Sequence, residues 1–533
     1  VLAGGISPSS AQVASADSAG SFLVGRYAQI ESDFEIARDS YLALLSTEPE
    51  NVGVKKDLLE VLVNYGDSQS AYQYARELND SGDETFLSDL VQTVELFENR
   101  QYQEIIDWSE ESRLAADELN LYGFMNAWAN FAAGDVNLAL ERFDELAAND
   151  SILEIAKLQQ GLAYASVGDF GSARQALEKS GSLLGTVPFD SQNFLDNVTA
   201  QIADPSADAG SDPAAGSSEA AGQEIDFEFE ISPQLGVSTF LSALGNGMGN
   251  DHYWSLIFTR LAQFLYPESD KYNIWIGRSL RNLGNFELAE SSFQRIPEGA
   301  DYYRFALAER SSILHDLGKT EESFSILSEY AEKYSDSPDA YWALGDAYRR
   351  AGEFERADEA YSDAISLLDD PDSSNWQLYF ARGIVREQTG DWDSAKTDLR
   401  TSLELSPDQP LVLNYLGYSM VVMDEDLVEA ERLIEKAVEL EPNSGFILDS
   451  LGWVLYRRGL YEEAVLPMEK AISLEPSDPV INDHLGDVYW MVGRHREAEF
   501  QWKRALSFDP EPDEAKRIGK KLKFGLDHVL AQE

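Results

Sequence analysis

Leu448 to Pro510 reads LDSLGWVLYRRGLYEEAVLPMEKAISLEPSDPVINDHLGDVYWMVGRHREAEFQWKRALSFDP, and its two halves match position by position. Leu448, Leu451-Gly452, Leu455, Tyr461, Ala464, Ala471 and Pro476 align with Asn482, Leu485-Gly486, Tyr489, His495, Ala498, Ala505 and Pro510, every pair 34 residues apart. The same frame continues upstream. It holds Leu413, Leu416-Gly417, Ala430, Ala437 and Pro442, with one residue inserted near Asp424, then Gly383, Trp392, Ala395 and Pro407, then Tyr341, Leu344-Gly345, Tyr348, Ala357 and Ala364.

A helical hairpin accounts for this pattern. The Gly at position 8 of each unit lets a second helix approach closely, and Ala at positions 20 and 27 is expected to face it. Gly at position 15 (Gly352, Gly390, Gly459, Gly493) ends the first helix because it tolerates positive φ. Pro at position 32 stops the second, since it lacks an amide donor and clashes with the preceding turn. One hairpin cannot bury its apolar face alone, so neighbours must stack into a solenoid.

These positions resemble the tetratricopeptide repeat, with five clear copies from about residue 338 to 510. Weaker copies extend it: Gly277, Gly284, Phe286, Ala289 and Phe293; Leu314 and Gly318; and a poor match from Trp254 to Pro267. Before these come Gly25, Phe34, Ala37, Tyr41 and Pro49; Leu58, Leu62, Gly66 and Ala71; units near Tyr102 and Gly134; and Gly161, Tyr164, Gly168, Phe170 and Ala173. The resemblance implies an all-α tetratricopeptide solenoid, a superhelix of about thirteen hairpins. The expected divisions are a signal-like or disordered start at 1–17, a first repeat block at 18–185, an acidic flexible linker at 186–233, a second block at 234–512 and a capping helix at 513–533.

The linker expectation rests on DPSADAGSDPAAGSSEAAG, a low-complexity run. IDFEFEIS, at Ile225–Ser232, alternates apolar and acidic residues as a strand would. At the C-terminus, Ile518, Leu522, Leu526 and Val529 fall on one helical face, with Lys516, Arg517, Lys520 and Lys521 elsewhere, as a wettable solenoid cap requires. Pro467 falls inside a second helix, where it removes a backbone hydrogen bond and is expected to bend that repeat.

With 95 acidic against 41 basic residues, a formal net charge of −54, the chain repels nucleic acid and anionic lipid. The acidity reads first as solubility or a salt-rich habitat, and second as steering of a basic partner. Cysteine is absent, so disulfides and thiolate sites are excluded. No apolar run reaches the roughly 18 residues of a membrane span.

Nothing in the motifs points to chemistry. G-x-S-x-G, the Walker lysine loop and G-x-G-x-x-G between strand and helix are all missing. His495 stands at position 17, where other copies carry Tyr461, Phe354, Trp392 or Phe286, so it replaces an aromatic packing residue. His484 lacks a partner at zinc-binding spacing. No catalytic residue, cofactor or metal is expected, and the remote enzyme alternative would place a site within 186–270.

In a tetratricopeptide stack the first helices line the inner face through positions 2, 5, 9, 12 and 13. Those positions supply Trp342, Arg349, Arg350, Phe380, Tyr418, Trp453, Tyr456, Arg457 and Trp490, an aromatic and arginine-bearing wall suited to partner binding. Asp449 and Asp483 occupy position 5, which disfavours a clamp for a peptide's terminal carboxylate.

The copies from Asn414 to Val465 and from Ile481 to Leu506 are similar to the C-terminal half of a bacterial envelope group of tetratricopeptide proteins, one of which is the lipoprotein adaptor of a carboxyl-terminal processing protease. That resemblance implies a non-enzymatic scaffold or adaptor that holds a periplasmic protease and presents extended clients. The start, VLAGGISPSSAQVASADSAG, resembles the tail of a secretory signal, and Leu2-Ala3-Gly4-Gly5 resembles a lipoprotein cleavage motif with Gly5 where the lipid-bearing Cys would be. A periplasmic or envelope location is therefore expected, with a cytoplasmic assembly or regulatory protein as the alternative.

Overall fold

A computed structural model describes residues 18–108, 120–188, 191–203, 231–300 and 302–532. Among them every regular element is helical. The signal-like start lies outside the described residues, as does IDFEFEIS apart from Ile231 and Ser232. The chain divides into two compact units, 1–318 and 319–533.

In the second unit five hairpins follow the 34-residue frame: Pro338–Arg350 with Phe354–Ser366, Trp376–Gln388 with Trp392–Leu405, Pro410–Val422 with Leu427–Leu440, Gly445–Arg457 with Tyr461–Leu474, and Pro479–Met491 with His495–Ser507. The close approach occurs at position 8, as expected, but what fills the space differs. A Cβ on Gly345, Gly452 or Gly486 would lie 2.6, 2.4 and 2.4 Å from the side chains of Tyr361, Met468 and Trp502. Gly383 and Gly417 face Leu399 and Ile434 in the same way. The facing residue is therefore the large one at position 24, while the Ala at position 20 is fully buried beside it, its carbonyl oxygen 3.3 and 3.0 Å from where a Cβ on Gly383 or Gly417 would stand. The inserted residue near Asp424 is absorbed in the turn. Asp424 itself takes the left-handed slot at φ 53°, where the other copies use Gly.

Successive hairpins are tied by a contact that recurs. Lys436 and Arg504 donate to the carbonyls of Pro407 and Pro476, at 2.9 and 2.6 Å, and Lys470 donates to that of Pro442. Each cation thus meets the partial negative charge just beyond the C-terminal end of the preceding hairpin. The helix Tyr461–Leu474 runs on through Pro467, and the carbonyl left without a partner belongs to solvent-exposed Glu463.

One hairpin departs from an apolar core. Arg382 and Arg386 stand where neighbouring copies carry Leu and Met or Tyr, and Asp398 is buried between them, at 2.7 and 2.9 Å. Arg386 also reaches Asp358 in the preceding hairpin at 2.8 Å.

The first unit opens with five hairpins, from Ser18–Ile30 with Phe34–Thr47 to Leu153–Ser166 with Phe170–Leu177. Two expected boundaries change here. Residues 186–203 are not linker throughout, since Ser191–Ala203 is a helix. The hairpin Pro233–Gly247 with His252–Leu265 does not open the second block; it packs on the first helices of the second to fifth hairpins. The reason lies in those helices: Leu90, Val94, Phe124, Trp128, Leu158 and Leu162 occupy inner positions 5 and 9 and are fully buried. Phe240 stacks on Phe124 at 4.4 Å, and a Cβ on Gly236 would lie 2.2 Å from the Trp128 ring. Toward the first two hairpins the wall turns polar, and so does the insert. Tyr253 donates to Glu60 at 3.1 Å, while buried Arg260 donates to the Asn64 carbonyl at 3.3 Å. That carbonyl lies in the last turn of the helix Val52–Tyr65, so the helix dipole partly offsets a guanidinium that no carboxylate among the described residues pairs with. Burial, with repulsion from Arg295, brings Arg260 down to about 9.

Two outcomes follow from this packing. Gly486→Val should cost roughly 1–3 kcal/mol through overpacking against Trp502, whereas Gly519→Ala, in open space within a helix, should gain up to about 1 kcal/mol; thermal melts of both variants check this. Residues 1–203 expressed alone should aggregate, and co-expression with 204–533 as a separate chain should return a soluble complex. Failure of the two fragments to co-elute on size exclusion would contradict the groove-filling role of Pro233–Leu265.

Candidate functional site

The inner face of the second unit is built by the helices Pro338–Arg350, Trp376–Gln388, Pro410–Val422, Gly445–Arg457 and Pro479–Met491. All nine expected site residues lie on these helices, in two groups. The first stays accessible to solvent. Trp342, Phe380 and Tyr418 are partly exposed, Arg350 is exposed, and Leu411 and Phe446, both at position 2, are 58% and 57% exposed. Phe380 stands edge-on to Tyr415 with centroids 5.6 Å apart. The Tyr418 hydroxyl is pushed up to about 12 by burial and by the carboxylates of Asp449 and Glu514.

The second group is held by its own surroundings. Arg349 donates to the Tyr361 hydroxyl at 3.1 Å and pairs with Asp346. Arg457 donates to the Val421 carbonyl at 3.1 Å and to Asp424 at 3.0 Å. Trp490 donates to Asp527 at 3.2 Å and meets His495 edge-on at 4.2 Å, so His495 packs as an aromatic would. Tyr456 is buried and stacks on Trp453 at 4.8 Å with the rings 8° apart.

Position 5 completes the picture at the C-terminal end. Asp449 accepts from His484, whose ring lies 3.9 Å from that of Trp453. Asp483 and Asp487 both accept from Lys521 at 2.7 Å. Lys521 was expected on the wettable side of the cap, yet its side chain is fully enclosed. The cap turns at Gly525, which divides Pro512–Phe524 from Leu526–Leu530 and lets Ile518, Leu526 and Val529 all bury while Lys521 serves the aspartates. The sequence carried a signal for this pairing, two acids on one helix face and Arg517 with Lys521 four apart on another.

Among the described residues no group of three or more His, Asp or Glu could hold a metal ion, and no helix is long and apolar enough to cross a membrane. What the face offers is aromatic area with flanking charge, which suits protein binding.

Residues 311–375 match the tetratricopeptide repeat model. A tetratricopeptide-repeat-containing protein of Pseudomonas aeruginosa is 27% identical over 193 residues, 36% of this chain and 31% of that protein, so the chain spans about a third of that relative's length. Among solved structures, the Cut9–Hcn1 hetero-tetramer of APC/C aligns over 96% of both chains at 14% identity and TM-score 0.40. YrrB, described as a tetratricopeptide protein with an unusual peptide-binding site, aligns over 36% of this chain and 97% of its own at 21% identity and TM-score 0.30. A tetratricopeptide repeat protein from Parabacteroides merdae aligns over 48% and 98% at 17% identity and TM-score 0.37.

The buried ion pairs predict a steep cost for removing one partner. Lys521→Ala strands Asp483 and Asp487, and Asp398→Ala strands Arg382 and Arg386, so each should lose about 3–5 kcal/mol in denaturant unfolding. Values under 1 kcal/mol would show that water reaches these pairs.

Proposed function

We propose that the protein is a non-enzymatic scaffold that holds partner proteins or extended client segments on the inner face of its second unit. The observation that carries this reading is a contrast between equivalent positions. In the third to fifth hairpins of the first unit, positions 5 and 9 are fully buried beneath the chain's own hairpin; in the second unit, Trp342, Phe380, Tyr418 and Trp453 at those positions keep part of their surface in water. Partly exposed aromatics beside Arg350, Leu411 and Phe446 form the composition that interfaces use as anchors.

The finer reading is an adaptor in the bacterial cell envelope that delivers clients to a periplasmic processing protease. It is supported by the likeness of the C-terminal copies to the envelope group and by the signal-like start. Crosslinked affinity purification of the full-length protein from its own cells, with mass spectrometry of bound proteins, tests both levels. Recovery of a processing protease supports the adaptor. Recovery only of cytoplasmic proteins replaces it with a cytoplasmic scaffold, and recovery of no stable partner overturns the scaffold reading.

The two residue groups separate binding from stability. Trp342→Ala combined with Arg350→Glu should weaken the recovered partner at least tenfold, about 1.4 kcal/mol, with an unchanged melting temperature. Trp490→Ala should instead destabilise the fold by about 3–5 kcal/mol, because its ring is packed against Trp502 and His495.

A further inference from the structure

The C-terminal end of the inner face contains a charge arrangement that the binding role does not require. His484 is buried on the helix Pro479–Met491, and its Nδ1 lies 3.0 Å from Asp449 Oδ2 on the preceding hairpin. Its ring is nearly parallel to Trp453, 13° apart, and Trp453 is in turn stacked on Tyr456. Three rings from two hairpins thus form one column, with a titratable imidazole at its end.

Charged groups gather around His484 from its own helix, the preceding hairpin and the cap. The helix Gly445–Arg457 brings Asp449, and its own helix brings Asp483 and Asp487. The cap helix Pro512–Phe524 brings Lys521 and Arg517, the latter 3.6 Å from both Asp483 and Asp487. From Pro410–Val422 comes Tyr418, within the fields of Asp449 and Glu514. The Tyr418 hydroxyl is neutral near pH 7, so three enclosed aspartates face two cap cations. A protonated His484 supplies the third cation, and only then is Asp449, with 8% of its side chain exposed, compensated.

We propose that His484 is a proton-operated latch: protonated, it binds Asp449 and clamps Trp453 in the column between the last two hairpins; neutral, it releases that indole to the inner face. The direction of the equilibrium agrees. Burial alone would lower the imidazole's affinity for its proton, but the field and hydrogen bond of Asp449, with Asp483 and Asp487 behind it, hold it above the ordinary histidine value. The unfolded chain titrates near 6.5, so the latch contributes fully below that pH and is lost as pH rises through the higher folded-state value. The stacked geometry strengthens the protonated form further, because a cation over an indole face is attracted to it.

The latch involves a residue of the proposed binding face but is read without any partner, so it stands or falls separately. The test is a pH titration of the full-length protein by NMR with 13Cε1-labelled histidine and 15N-labelled tryptophan. Five histidines give resolvable signals; His484→Gln and Trp453→Phe assign the two that matter. The expected result is a His484 midpoint above 6.5, with the Trp453 indole resonance moving at the same midpoint. Asp449→Asn, nearly the same size, should lower that midpoint by about one pH unit or more. A His484 signal unchanged between pH 5 and 9, or a Trp453 resonance that ignores the His484 transition, overturns the proposal.

Discussion

Two helices can lie close enough to share one core only if something on one of them is absent. In this chain that is the side chain at position 8. The absence is filled by the side chain at position 24 of the returning helix: a tyrosine, leucine, isoleucine, methionine or tryptophan in the five clear copies. The pairing fixes how the helices of a hairpin sit, and the outer surfaces so fixed then stack. Position 20, always a fully buried Ala in these copies, keeps the backbone itself near the glycine. Any Cβ at position 8 would push against a bulky group that has nowhere to move, so the repeat depends on this one contact.

The 34-residue frame was legible because glycine, alanine and proline act through the backbone, and a backbone requirement admits few residue types. Position 24 was not legible in the same way. Its requirement is volume, which Tyr361, Leu399, Ile434, Met468 and Trp502 all meet with different chemistry, so no letter recurs. Asp424 shows the complementary case: one inserted residue leaves the glycine slot occupied by an aspartate, a residue that tolerates the left-handed region better than most. The face of the candidate site was legible from register alone. Which of its residues are free was not, because Arg349, Arg457 and Trp490 are held by partners on other turns or other elements, and only coordinates reveal those.

The filled groove of the first unit carried a signal that periodicity hides. Inner positions normally face water or a partner, and a run of Leu90, Val94, Phe124, Trp128, Leu158 and Leu162 there cannot remain exposed. The helix Pro233–Gly247 answers it with residues apolar or small all round, buried from Leu235 to Gly245, which is how a helix enclosed on every side must read. Its Gly236 against Trp128 repeats, between unrelated helices, the glycine-on-large-residue contact that builds each hairpin. Aligned with the repeat frame, this hairpin falls beside the copies that follow it, whereas its all-round apolar character suits the groove before it.

The acidity has a related logic. A chain of formal charge −54 has few cations to spend, and in the second unit many of them are engaged by the fold itself: Arg382 and Arg386 on Asp398 and Lys521 on Asp483 and Asp487 in its interior, and Lys436, Lys470 and Arg504 on proline carbonyls at its surface. These contacts lie where two hairpins, or a hairpin and the cap, must keep register. A buried pair adds little over a well-packed apolar pair, yet breaking it by a slipped register strands a charge, and that asymmetry penalises the wrong arrangement more than it rewards the right one. Cations committed inside leave the carboxylates to dominate the outside, so the acidic exterior and the paired interior are two consequences of the same allocation of charge.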